Sequence, residues 1–127
     1  MERCPCCNAR LRQTVICPRC RADLSAIIDA EKSAAFWLSQ AMQCLKDDKI
    51  EQSSVAINRS LRLKKTEAAS IFREFLIHQQ CRAILGLLAQ TLLLPAKSRL
   101  YHARLLTPYS KKLQQLNSFI DYLLIEG

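Results

Sequence analysis

The chain has 127 residues, half of them apolar, which suits one ordinary domain, or a small module joined to a helical unit. Aromatic residues make up 6% and only two residues are glycine, too few turn-formers for a β-sandwich or barrel, so the composition favours α. The net charge of +8 is spread evenly, with +3 over residues 1–23, +2 over 24–66 and +3 over 67–127, whereas nucleic-acid binders concentrate charge on one face or tail. Such a balance leaves an acidic partner or a membrane surface open without naming one. Met1 leads straight into a cysteine-rich segment, so no signal peptide is expected. The longest apolar stretch, Ile84 to Leu94, is interrupted by Gly86, Gln90 and Thr91 and is too short for a membrane span. Seven cysteines, an odd number, speak against a secreted disulfide framework and for a reducing, cytoplasmic setting, bacterial in style.

The first element is Cys4-Pro5-Cys6-Cys7, followed after nine residues by Cys17-Pro18-Arg19-Cys20. Two C-x-x-C pairs this close form a four-thiolate ligand set, because two adjacent turns can each offer two sulfurs to one tetrahedral ion. The prolines fix one φ angle and leave no N–H to satisfy, so the following amides can turn toward the sulfurs. The residue after each second cysteine needs a positive φ. Asn8 suits that conformation and Arg21 suits it less. The metal ligands are therefore Cys4, Cys7, Cys17 and Cys20. Cys6 reads as a non-ligand thiol; the alternatives are that it replaces Cys4 or Cys7 in a tighter C-x-C bite, or that it is a redox-active neighbour. Four thiolates suit zinc, with iron as the second choice.

The segment Cys4-Pro5-Cys6-Cys7-Asn8-Ala9-Arg10-Leu11 … Cys17-Pro18-Arg19-Cys20-Arg21-Ala22-Asp23-Leu24 resembles the short zinc ribbons with the pattern C-P-x-C-G-x-x-L, repeated after a β-hairpin. Asn8 and Arg21 stand where that pattern has glycine. The resemblance covers residues 3–24 and implies a structural zinc and a small β-hairpin. It implies no particular activity, since such modules serve many functions. A rubredoxin-like iron centre uses the same ligands but spaces its two pairs farther apart. A module of this size cannot bury a core, so metal binding becomes its folding energy.

The remaining chain predicts helices. Leu24 to Leu45 carries apolar residues at three- and four-residue spacing, with Asp23 or Ser25 as cap. Asp47-Asp48-Lys49 is a polar turn, and a second helix runs from about Ile50 to Leu63. Residues 34–67 resemble one tetratricopeptide hairpin through Leu38, Ala41, Cys44, Leu45, Ser54, Ile57, Ser60 and Leu61, with Lys49 where glycine often stands. Thr66 caps a third helix, with a bend expected between His78 and Gly86 and an end at Pro95. Ala96 to Leu106 forms a short helix. Thr107-Pro108 then starts the last one, which carries Leu113, Leu116, Phe119, Ile120, Leu123 and Leu124.

The predicted fold class is therefore mainly α: a zinc-ribbon β-hairpin over residues 1–24 and an all-α helical-hairpin or bundle body over 25–127. No phosphate loop, paired carboxylates or catalytic triad stands out, so the expected function is not enzymatic. A second metal site through His78, Cys81 and Cys44 or His102 is disfavoured, because isolated core cysteines and surface histidines are commoner. The leading expectation is a protein-interaction adaptor, or an assembly or regulatory factor, with a structural zinc and a protein partner or a second copy. The alternatives are nucleic-acid binding through Arg3, Arg10, Arg12, Arg19 and Arg21, and electron transfer at iron.

Overall fold

The computed structural model describes residues 2–11 and 14–126. Five helices account for most of these residues: α1 (Ser25–Lys46), α2 (Ile50–Leu63), α3 (Glu67–Ala89), α4 (Leu93–His102) and α5 (Lys111–Glu126). β-structure among the described residues is confined to two isolated antiparallel bridges, Arg3 with Arg10 and Ile16 with Asp23. The expected hairpin between the two cysteine pairs would pass through Arg12 and Gln13, which lie outside the described residues, as does the nucleic-acid expectation for Arg12.

The α1–α2 pair is antiparallel and is joined by a seam of small residues. Ser53 Oγ donates to the Ala41 carbonyl at 2.7 Å, and Ser60 Oγ donates to the Ala34 carbonyl at 2.7 Å. The two serines are seven residues apart on α2, and so are the two alanines on α1, so one pitch of contact repeats. All four are buried. Side chains this small let the backbones approach, and each hydroxyl reaches a carbonyl across the interface that no bulkier group could. The resemblance emphasised Ser54, but its hydroxyl turns back to the Ile50 carbonyl of its own helix at 2.8 Å. Glu31 and Lys64 form an ion pair across the same two helices.

α3 lies against α2 and α4, and α5 closes against α4. Ile57, Leu76, Ile84, Leu106, Leu113 and Ile120 are fully buried in one contiguous core, with Trp37, Phe72 and Leu88 packed around it. Thr66 caps α3 as expected, accepting from the Ala69 amide at 3.2 Å. Several local expectations are corrected. α3 runs as one helix through Gly86 and ends at Ala89, short of Pro95. Pro95 does not end a helix but sits in the first turn of α4, where its missing N–H leaves no bond unmade. Thr107-Pro108 forms a 3-10 turn, and Ser110 caps α5, its hydroxyl accepting from the Leu113 amide at 3.2 Å. Asp23 assists the start of α1 by accepting from the Ser25 amide at 3.0 Å.

α1 and α3 both end in a left-handed residue that is not glycine: Asp48 at φ 60° and Thr91 at φ 57°. The bonds are those of a Schellman motif in both places. Asp48 N–H reaches Leu45 O and Lys49 N–H reaches Cys44 O, while Thr91 N–H reaches Leu88 O and Leu92 N–H reaches Leu87 O. The left-handed position in the first turn is thus Asp48, one residue before the Lys49 singled out by the resemblance.

Candidate metal centre

Each cysteine pair lies in a loop with the same backbone bonds. Cys4 N–H donates to Ala9 O at 2.9 Å and Asn8 N–H to Cys4 O at 2.8 Å; thirteen residues on, Cys17 N–H donates to Ala22 O at 3.0 Å and Arg21 N–H to Cys17 O at 2.8 Å. The close return of the chain requires a left-handed residue after the second cysteine. Asn8 supplies it at φ 62° and Arg21 at φ 60°. The arginine takes up the strained conformation that the pattern's glycine would adopt freely.

The loops face one another and bring four sulfurs together. Cys4 Sγ lies 3.6 Å from Cys20 Sγ, and Cys7 Sγ lies 3.5 Å from Cys17 Sγ. All four Sγ atoms fall within 4.8 Å of one another. A tetrahedral ion with metal–sulfur bonds of about 2.3 Å demands sulfur–sulfur edges of about 3.8 Å, close to these separations. The four cysteines could therefore hold a metal ion. Cys4 and Cys17 are buried, Cys7 is half-buried and Cys20 is exposed, so one corner of the cluster meets solvent. Cys6 is exposed and its thiol stands outside the four-sulfur group, while its backbone N–H donates to Cys4 Sγ at 3.4 Å.

A small apolar centre supports the loops. Leu11 and Leu24 follow Cys4 and Cys17 by seven residues each, and both are buried together with those cysteines. Ala9, Ala22 and Ile28 pack around them. Ile28 belongs to α1, so the first helix begins inside the head's own core.

The thiols do not titrate alike. The Cys20 amide, helped by that of Arg19, stabilises the Cys17 thiolate against the opposing cost of burial and lowers its pKa to about 6. Burial raises Cys4, but the amides of Cys7 and Cys6 overcome it and leave that thiol lowered. The Ala22 amide draws Cys20 down, yet partial desolvation of its sulfur and the neighbouring sulfurs outweigh it and push Cys20 up to about 12. The Cys4 charge raises Cys6, with partial desolvation adding to it.

No second cluster of three or more metal-type side chains forms among the described residues. Cys81 is buried in the helical core, while His78 and His102 are exposed. No described helix is long and apolar enough to cross a membrane. Periodicity alone gave no sign of two buried polar side chains, Asn58 and Gln80. Asn58 Nδ2 donates to the Leu105 carbonyl at 3.0 Å, tying α2 to the segment after α4. Comparison with protein-family models, curated proteins and solved structures finds no match to this chain.

Proposed function

We propose that the chain is a non-enzymatic interaction adaptor whose head, a zinc ribbon, is held by one structural zinc ion on Cys4, Cys7, Cys17 and Cys20. The observation that carries the reading is the outer face of α5. Phe119, Tyr122 and Ile125 succeed one another at three-residue spacing and are 51%, 59% and 84% exposed, while Leu113, Leu116 and Ile120 fill the inner face. Large apolar groups aligned along a helix favour a protein contact over open solvent. Four thiolates leave zinc no open position for a substrate, which favours a structural ion over a catalytic one. α4 and α3 carry α5, and the α1–α2 pair, read as a tetratricopeptide-like hairpin, joins this body where α2 packs on α3.

The test pairs a surface variant with salt. Replacing Tyr122 and Ile125 by serine is expected to abolish partner recovery in a pull-down, and wild-type recovery is expected to survive a rise from 50 to 200 mM salt. The second reading is nucleic-acid binding, favoured by the exposure of Arg3, Arg10, Arg19 and Arg21 on the head. About four phosphate contacts would weaken such binding roughly 10²-fold over that salt range. Tight, salt-sensitive binding of DNA or RNA that charge reversal at Arg10 and Arg19 removes would replace the adaptor reading.

A further inference from the structure

A pocket of about 570 Å³ lies between the α1–α2 turn, α3 and α4. Lys49, Gln80, Arg99 and His102 contribute its polar lining, and Ile50 and Val55 an apolar wall. Its volume falls in the range of small-molecule sites. Gln80 is the informative residue. Its side chain is fully buried, and Arg99 Nε donates to its Oε1 at 3.0 Å. A guanidinium can only donate, so the amide oxygen must face Arg99 and the amide nitrogen must face away. That nitrogen has no hydrogen-bond partner among the described residues. A buried donor left unmade costs more than an ordinary hydrogen bond contributes, which favours a turn of the Gln80 amide toward the pocket it borders, where an acceptor can meet it.

The surroundings favour an acceptor with negative charge. α2 begins at this pocket, its N-cap residue is Lys49, and no side chain caps it. Its first-turn amides point out of the helix end and carry the positive pole of its dipole. The cations Lys49 and Arg99 add to this. Two carboxylates oppose it. Glu51 is engaged by Arg104 and lies 3.9 Å from His102 Nδ1. Asp48 is exposed on the turn, where water and salt screen it. We propose that this pocket binds a small ligand bearing an oxyanion, a phosphate or a carboxylate, anchored by Gln80 Nε2 and Arg99. The inference stands apart from the adaptor reading, because it uses neither the α5 face nor the head.

The test is an NMR titration of the full, metal-loaded chain with inorganic phosphate and, separately, with acetate, against sodium chloride at equal ionic strength. Saturable shifts of the Gln80 side-chain amide and of the Ile50, Glu51 and Gln52 backbone amides are expected. Tighter phosphate binding identifies a phosphate ligand, and tighter acetate binding a carboxylate. Gln80→Glu keeps the oxygen that Arg99 needs and replaces the free donor by an anion. It is expected to weaken binding about tenfold or more, the scale of one charge-assisted hydrogen bond. Lys49→Gln, at an exposed position that leaves the core untouched, is expected to weaken binding by about threefold, as loss of one exposed ion contact does. Shifts that merely follow chloride, or affinities unchanged in both variants, would overturn the proposal and leave a water molecule as the partner of Gln80.

Discussion

The head and the helical body solve the same problem by opposite means. The head has Leu11, Leu24 and the two inner cysteines as its buried centre, far too little apolar surface to order some twenty residues by itself. Its two loops also hold a left-handed residue each, one of them an arginine, which is strained there. The body has a contiguous core reaching from Ala41 to Ile120. If the head holds its ion as proposed, its order depends on that ion, whereas the body has a core of its own. They meet at Ile28, where α1 enters the head's core.

The largest effect expected from breaking this comparison is metal removal. Structural zinc contributes on the order of 10 kcal/mol to such modules. Chelation, or Cys17→Ser, should unfold residues 1–23 and fray the first turns of α1, while most helical circular dichroism persists. Cys6→Ser should retain the metal. Loss of more than about half the helical signal on chelation would show that the two regions share one folding unit.

The body's equivalent weak point is its small-residue seam. Ala41 is fully buried, and its carbonyl receives the Ser53 hydroxyl. Ala41→Leu should force α1 and α2 apart and cost about 2–3 kcal/mol by overpacking. Urea denaturation followed by helical signal would measure this, and a change below 0.5 kcal/mol (roughly the scale of a neutral surface substitution) would mean that the seam is not close-packed.

The left-handed residues sharpen the comparison, since both regions carry them. Thr91→Gly should stabilise the body by about 1 kcal/mol, because a β-branched residue is unfavourable at φ 57°. Arg21→Gly should leave the body's melting unchanged and instead tighten the head's hold on its metal, read as slower loss to a chelator. An effect of Arg21→Gly on helical stability as large as that of Thr91→Gly would contradict the separation of the two regions.

The smallest effect is electrostatic. Hydrogen bonding to Lys64 holds the Glu31 carboxyl below its ordinary 4.5, against a smaller opposing cost of burial. The unfolded chain then takes up this proton first as pH falls. The pair's contribution is fully present above the ordinary carboxylate value and is lost as pH drops through the lowered one. Lys64 is partly exposed, so less than about 1 kcal/mol is at stake. Glu31→Gln should lower stability at neutral pH and have no effect below the carboxylate range.

Local chemistry determined what was legible in the sequence. The spacing of Cys4, Cys7, Cys17 and Cys20 indicated a four-sulfur group, because ligands within a turn are placed by the turn. The bounds of α2 and the Thr66 cap followed from periodicity and from a hydroxyl's reach to the third amide beyond it. Tertiary structure alone decided the rest. Ser53 and Ser60 are ordinary polar residues until a second backbone comes close enough for their hydroxyls to reach its carbonyls. Ser110, and not Thr107, caps α5 because the chain first makes a 3-10 turn, ending at Tyr109, whose ring stacks on Arg73 of α3. Gln80 is a helix residue like its exposed neighbour Gln79 until α4 lays Arg99 against it. Period and turn type are set by neighbours in the chain, whereas burial and the loss of a hydrogen-bond partner depend on elements far away along it.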